Sequence, residues 1–340
     1  MGKFLYYLLP AILFSIYFRF IGNEIAMFFT ACLSIIPLAG IMGEATESLA
    51  CHTGERVGGL LNATFGNATE LLITIFALKA GLFSVVKASI AGSILGNILL
   101  VLGLSIFIGG IKNGEQAFDR VHINNQTNLM LLSIIALIIP AVFFQTEKQH
   151  YALQGFSVAI AAILLFIYLA GLVFAMRRQT EPAYSEAARW SKTKAFVVLA
   201  LSTVLIALES EFLVGGIESV TTALHWSEFF IGIIIIPIIG NAAEHFTAII
   251  MALKNKMDLS FEIAVGSSTQ IAMLVTPILV FLSLAFGKPM DMMFNYHEIV
   301  AVGVAVLIAQ FISLDGESNW LEGALLVAAY LMIAMAFFFL

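Results

Sequence analysis

The chain has 340 residues, of which 61% are hydrophobic and 11% charged, with a formal net charge of −6 and a mean hydropathy of +1.00. Soluble domains carry roughly 45–50% apolar and about 25% charged residues. This composition therefore excludes a water-soluble globule and a disordered chain, and no basic run is present to meet nucleic acid.

A membrane-spanning helix needs about 20 mainly apolar residues. Apolar runs bounded by charge or turn residues predict eleven helices, over 4–20, 25–43, 57–79, 83–110, 126–144, 151–176, 195–223, 227–253, 260–286, 297–314 and 320–340. The expected fold is an all-α polytopic membrane protein. The first run follows Lys3 and reads as a retained helix, because Arg19 and Phe20 follow it in place of a small-x-small cleavage site. Cys32 and Cys51 have no metal or redox spacing and read as packing residues. The longest polar stretch, Arg177 to Lys194, reads as a surface linker. It divides the chain into a first helix (1–24), a five-helix unit (25–176), the linker (177–194) and a second five-helix unit (195–340).

Lys and Arg in alternate loops set orientation. One side collects Lys3, Arg56, Lys112, Arg120, Arg177, Arg178, Arg189, Lys192, Lys194, Lys254 and Lys256; the other has Arg19, Lys79, Lys87, Lys148 and Lys288. That bias predicts a cytoplasmic N-terminus and an external C-terminus in the plasma membrane.

Two stretches of the sequence repeat. Gly66-Asn67-Ala68-Thr69-Glu70 and Gly240-Asn241-Ala242-Ala243-Glu244 lie 174 residues apart, and the same offset carries Gly92-Ser93 onto Gly266-Ser267 and Glu44 onto Glu218. The copies are five helices apart, an odd number, so the second enters the membrane from the opposite side. Inverted repeats of this kind mark transporters whose site lies near the midplane where the repeats meet. Glu70 is expected about midway along helix 57–79, and Glu244 past the middle of helix 227–253.

A charged side chain at the bilayer centre costs about 2.5–3.5 kcal/mol or more, and no Lys or Arg in these helices is close in sequence to either glutamate. Each must be protonated, or a cation must sit between them; alternating between the two states makes a proton/cation exchanger. The neighbours are oxygen donors suited to a hard ion such as calcium. Asn67 with Glu70, Asn241 with Glu244, and Ser267 with Gln270 are at i,i+3; Ser93 with Asn97 is at i,i+4, so each pair shares a helix face. Zinc or copper would favour a Cys/His cluster, which the sequence lacks. Gly66, Gly92, Gly240 and Gly266, with Pro237, permit close approach and local helix breaks. The duller reading of a Gly-Asn pair is an interhelical packing contact; duplication beside a glutamate argues against it.

At these residues the chain resembles the cation/proton exchanger (CAX) family of calcium/proton antiporters, within the cation/calcium exchanger superfamily. The resemblance runs through GNATELLITIFAL and GSILGNILLVLG in the first half. In the second it runs through SEFLVGGIESV and GNAAEHFTAIIMALKNKMDLSFEIAVGSSTQIAMLVTP. Sodium/calcium exchangers place a proline immediately before each glutamate, where this chain has Thr69 and Ala243. The resemblance implies that Glu70 and Glu244 carry calcium and protons in turn, beside Asn67 and Asn241, with Ser93, Asn97, Ser267 and Gln270 in support. It implies helices 2–6 and 7–11 as the two repeats, with helix 1 outside them. Some eukaryotic members carry an acidic helix in the central linker; here only Glu181 and Glu186 stand there against five basic residues, and the compact chain reads as prokaryotic.

Glu44, at the cytoplasmic end of helix 2, and Glu218, near the external end of helix 7, are expected to line vestibules, unless they are simply solvated helix ends. Glu211 is preferred over Glu209 as a secondary cavity residue on the family pattern. His245 is either a proton relay or a structural hydrogen bonder. No cofactor is expected; the substrates are Ca2+ and H+, and the partner is membrane lipid. The rivals are a sodium- or potassium-coupled exchanger on the same fold, a channel, and an intramembrane enzyme. The last lacks HExxH, Gly-x-Gly-Asp and aspartate clusters.

Overall fold

The computed structural model describes residues 3–53, 55–144, 150–177 and 188–340. Arg178, Glu181 and Glu186 of the linker, and Lys148, lie outside the described residues. The structure is predominantly helical. A 3-10 turn at Lys3–Leu8 precedes α1 (Ala11–Ile21), α2 (Glu24–Thr53), α3 (Glu55–Phe65) and α4 (Ala68–Ala80). Then come α5 (Phe83–Leu95), a π-helical segment Gly96–Val101, α6 (Leu102–Asn113), α7 (Arg120–Phe143) and α8 (His150–Arg177). After the linker follow α9 (Lys192–Gly215), α10 (Ile217–Leu224), α11 (Glu228–Phe230), a π segment Ile231–Ile235, α12 (Ile236–Gly240) and α13 (Ala242–Leu253). The chain closes with α14 (Met257–Gln270), a π segment Ile271–Val275, α15 (Thr276–Ala285), α16 (Tyr296–Ile312) and α17 (Trp320–Phe338).

Among the described residues, seven helices are individually long and apolar enough to cross a membrane, or eight if the bent pair Glu228–Gly240 and Ala242–Leu253 is one span. The protein is thus a multi-pass membrane protein. The count falls below eleven because α1 and α16 are short and because helix 57–79 is not continuous. It breaks at Gly66-Asn67, where Asn67 leaves the helical region at φ −103° and ψ 24°. Asn241 does the same at φ −92° and ψ 7°, and the chain bends by 58° there. Glu70 and Glu244 therefore sit in the first turns of α4 and α13, not in the middle of long helices. A π segment also recurs near the offset, at Gly96–Val101 and Ile271–Val275.

Two further sequence expectations need correction. Helix 2 does not end at residue 43: α2 runs on to Thr53. Its continuation is driven by packing, since Ala45, Leu49 and Ala50 are buried while Glu47 faces outward. The ninth helix starts at Met257, so Asp258 is inside its first turn and accepts a hydrogen bond from Asp119 N at 2.5 Å.

Packing explains the architecture. Helix α2 lies along α9, α6 along α17 and α13, and α5 crosses the π segment 231–235. At that crossing a Cβ on Gly92 would strike the Ile233 carbonyl, and one on Gly232 would come within 2.8 Å of Ala88 Cβ. The two backbones approach closely because both positions are glycine. A single antiparallel pairing, β1 (Gln116–Ala117) with β2 (Glu317–Ser318), ties the loop after α6 to the loop before α17.

Candidate functional site

The two helix breaks and the middles of α5 and α14 meet in the interior. Asn67, Glu70, Ser93, Asn97, Asn241 and Ser267 are all buried. Gln270 and Glu244 are half-buried. Breaking α3 and α12 before the glutamates places each carboxylate at the start of a short helix, where the macrodipole favours negative charge.

The halves interlock reciprocally. Glu70 rests on Gly240: a Cβ there would meet Glu70 Cγ and Oε1 at 3.2 Å. Glu244 approaches Gly66, where a Cβ would lie 3.7 Å from its Oε1. Each glutamate thus lies against the glycine that precedes its counterpart's helix. A side chain at either glycine would occupy the space between the carboxylates and the opposite break.

The amides hold this geometry. Asn67 Nδ2 donates to Gln270 Oε1 at 2.7 Å, and Ser267 Oγ donates to Asn67 Oδ1 at 2.9 Å. Asn97 Nδ2 donates to Ser267 Oγ at 3.1 Å. Across the centre, Asn241 Nδ2 donates to Ser93 Oγ at 3.2 Å and to Pro237 O at 3.0 Å. The sequence pairs on shared faces, such as Asn67 with Glu70, are not the contacts that form. Asn67 stands outside the helix, and every amide bond but that to Pro237 joins residues of different halves.

The donor hydrogens of these amides and hydroxyls are spent inside the protein, and acceptors are left over. Glu70 Oε2, Glu244 Oε2 and Asn241 Oδ1 are buried without a hydrogen-bond partner. Among the described residues no basic side chain pairs with either glutamate; the ion pairs are Lys87–Asp291 and Arg189–Glu44. Buried polar groups need partners. Three orphan acceptors around two carboxylates call for donors that the chain does not provide, namely protons or a cation. Among the described residues no three His, Cys, Asp or Glu side chains cluster. Neutral amide and hydroxyl oxygens would have to complete a coordination shell, as hard cations accept.

Other candidates lie elsewhere. Glu44 is within α2, ion-paired to Arg189 Nη1 at 2.6 Å and approached by Tyr6 OH at 3.4 Å. Glu218 and Glu211 are exposed. Glu209, the residue passed over, is wholly buried and lies 2.7 Å from Ser15 Oγ. No local signal marks it, since Ser15 is 194 residues away. The Nε2 atom of His245 is buried without a partner.

The sodium/calcium exchanger protein family model matches residues 23–177 and 194–339, most of the chain. The chain belongs to the sodium/calcium exchanger family. This exchanger is 46% identical to the "Ca(2+)/H(+) antiporter" of Aphanothece halophytica, over 93% of this chain and 91% of that one. It is 47% identical to the "Ca(2+)/H(+) antiporter ChaA" of Bacillus subtilis, over 92% of each. These relatives are transporters rather than enzymes. The solved structure of native YfkE superposes with a TM-score of 0.89 at 44% identity, covering 99% of this chain and 100% of that one. An H+/Ca2+ exchanger CAX structure shares the fold at a TM-score of 0.77 and 14% identity, covering 98% of this chain and 91% of that one.

Proposed function

We infer that this exchanger is a calcium/proton antiporter that exports Ca2+ from the cytoplasm in exchange for protons by alternating access. The observation that carries the reading is the set of orphan acceptor oxygens on Glu70, Glu244 and Asn241, buried with no basic side chain paired to either glutamate among the described residues. The names of the relatives at 46–47% identity support the choice of ions. Thr69 and Ala243 stand where sodium-coupled members carry proline, which favours protons over sodium. The architecture we propose is helix 1 plus two inverted five-helix repeats, 2–6 and 7–11, in the plasma membrane. The N-terminus is cytoplasmic and the C-terminus external. The recurrence of a break, a glutamate and a π segment near the 174-residue offset supports the repeats.

The mechanism follows from charge. One divalent ion or two protons neutralise the carboxylate pair. Glu70, Glu244, Asn67 and Asn241 hold the ion; Ser93, Asn97, Ser267 and Gln270 fix the amides. No resident cofactor takes part. Crossing with both carboxylates bare would bury two unpaired charges, which the bilayer penalises strongly. Only the loaded forms cross, and that restriction couples the two gradients.

Proteoliposomes loaded with calcium-free buffer and energised by a pH gradient, with no sodium or potassium gradient, test this reading. Calcium uptake should follow the pH gradient and saturate. Acidifying the calcium-loading side should raise the half-saturating calcium concentration, because protons occupy the same oxygens. Uptake that requires sodium, or current without a proton gradient, would overturn it.

A further inference from the structure

Helix α1 stands outside both repeats, yet it is fastened to them at one buried polar point. Glu209 on α9 has no exposed surface, and neither does Ser15 on α1. Their oxygens are 2.7 Å apart. Ser34 on α2 is the other hydroxyl beside Glu209, and Cys32 on α2, a free buried thiol, also faces it. No charged side chain among the described residues acts on it from α1, α2, α4 or α10.

The hydroxyl hydrogens nearby can serve more than one acceptor. Ser15 has one hydroxyl hydrogen and its Oγ lies 2.8 Å from Ile12 O, an acceptor in its own helix. Ser34 likewise has one, and its Oγ lies 2.9 Å from Ala31 O. If both serines donate to their own helices, as serines in apolar helices commonly do, the short contact between Ser15 and Glu209 needs a third hydrogen. Only the carboxyl can supply it. An ionised Glu209 would also leave a charged Oε2 buried without any partner, a far costlier arrangement than a neutral carbonyl oxygen there.

We propose that Glu209 is a neutral carboxylic acid that donates its hydrogen to Ser15 Oγ and so fastens α1 to the α2–α9 pair. Glu209 is then a positioning residue, and its proton stays put while those of the central pair come and go. The surrounding packing agrees. A second apolar cluster, separate from the main core, gathers Leu38 and Met42 of α2 with Leu199 and Ile206 of α9, and Ile12 of α1 packs on it. Helices α1, α2 and α9 are thus tied together by this hydrogen bond and this cluster.

The transport arm of the test rests on the antiporter reading; the spectroscopic arm does not. Infrared spectra of the full chain in lipid, saturated with calcium at neutral pH, should contain a protonated-carboxyl carbonyl band. The band should vanish in Glu209→Gln and shift in Ser15→Ala, where the acid loses its acceptor. Loss of an ionised-carboxylate band in Glu209→Gln, or an unmoved band in Ser15→Ala, would overturn the proposal. The Gln amide also donates, so its initial exchange rate should stay within about twofold of the parent at every pH. Glu209→Leu, which donates nothing, should lower the rate about tenfold, the equivalent of one hydrogen bond. If Gln and Leu lower it equally, the donated hydrogen is not what fastens α1.

Discussion

The two halves of the exchanger carry the same motif but pack it differently. Gly92 on α5 is jammed against the backbone of Ile233, and no side chain fits there. Gly266, its counterpart on α14, has nothing within 4 Å of where a Cβ would be. The segment facing Gly92 is buried through Ile231, Ile233 and Ile236, whereas α3 exposes Asn62 and Thr64. The same Gly-Ser pair thus sits in two packings, and on the alternating-access reading proposed above each half holds this contact in one state and releases it in the other. The backbones pack tightly at Gly92, whereas Gly66 and Glu244 are half-buried.

The comparison breaks most completely if its centre is removed. Glu70→Gln and Glu244→Gln should each reduce calcium/proton exchange to background while the detergent-solubilised protein still elutes as a folded species. Either mutant transporting normally would dissolve the paired-carboxylate reading. The glycines sharpen the comparison. Gly92→Ala sets a methyl against a backbone carbonyl and should disfavour the present state by about 1–3 kcal/mol, a factor of about 5 to 150 between states. Gly266→Ala costs nothing in the present state but jams the mirrored one, so it should trap the protein as seen here. Both should slow exchange, and alkylation of an introduced Asn62→Cys should separate them, rising in Gly266→Ala and falling in Gly92→Ala. Equal labelling in both would show that the halves do not trade packings. The smallest effect is expected at the rim. Arg189→Gln removes one partner of Glu44, but Arg189 is 59% exposed, and such pairs contribute about 1 kcal/mol or less. Melting temperature and exchange rate should barely change.

Much of the site was legible because its residues carry their own chemistry. A glutamate with an amide three residues earlier, twice, inside apolar runs, has few other readings. The breaks were legible in kind, from Gly66, Gly240 and Pro237, but not in position. Whether the chain leaves the helix at Gly66 or at Asn67 depends on Gln270 and Ser267, which arrive from the other half to satisfy Asn67. The extension of α2 past Glu44 was illegible for the opposite reason: Glu44 and Glu47 look like a terminus until buried Ala45 and Leu49 are seen packing below them. That Glu209 is buried and Glu211 exposed was illegible because burial there is set by α1, a helix far away in the chain.

The π-helical stretches at Gly96–Val101 and Ile271–Val275 each hold one residue more than an α-helix would accommodate in the same length. Such a surplus is a unit of slack. Handed along by one position, it swings every side chain it passes by about 100° without lengthening the span. Asn97 lies inside one stretch and Gln270 directly abuts the other. The amides that brace the carboxylate pair are thus mounted on two of the three π-helical stretches among the described residues, where a helix can turn on its own axis at low cost.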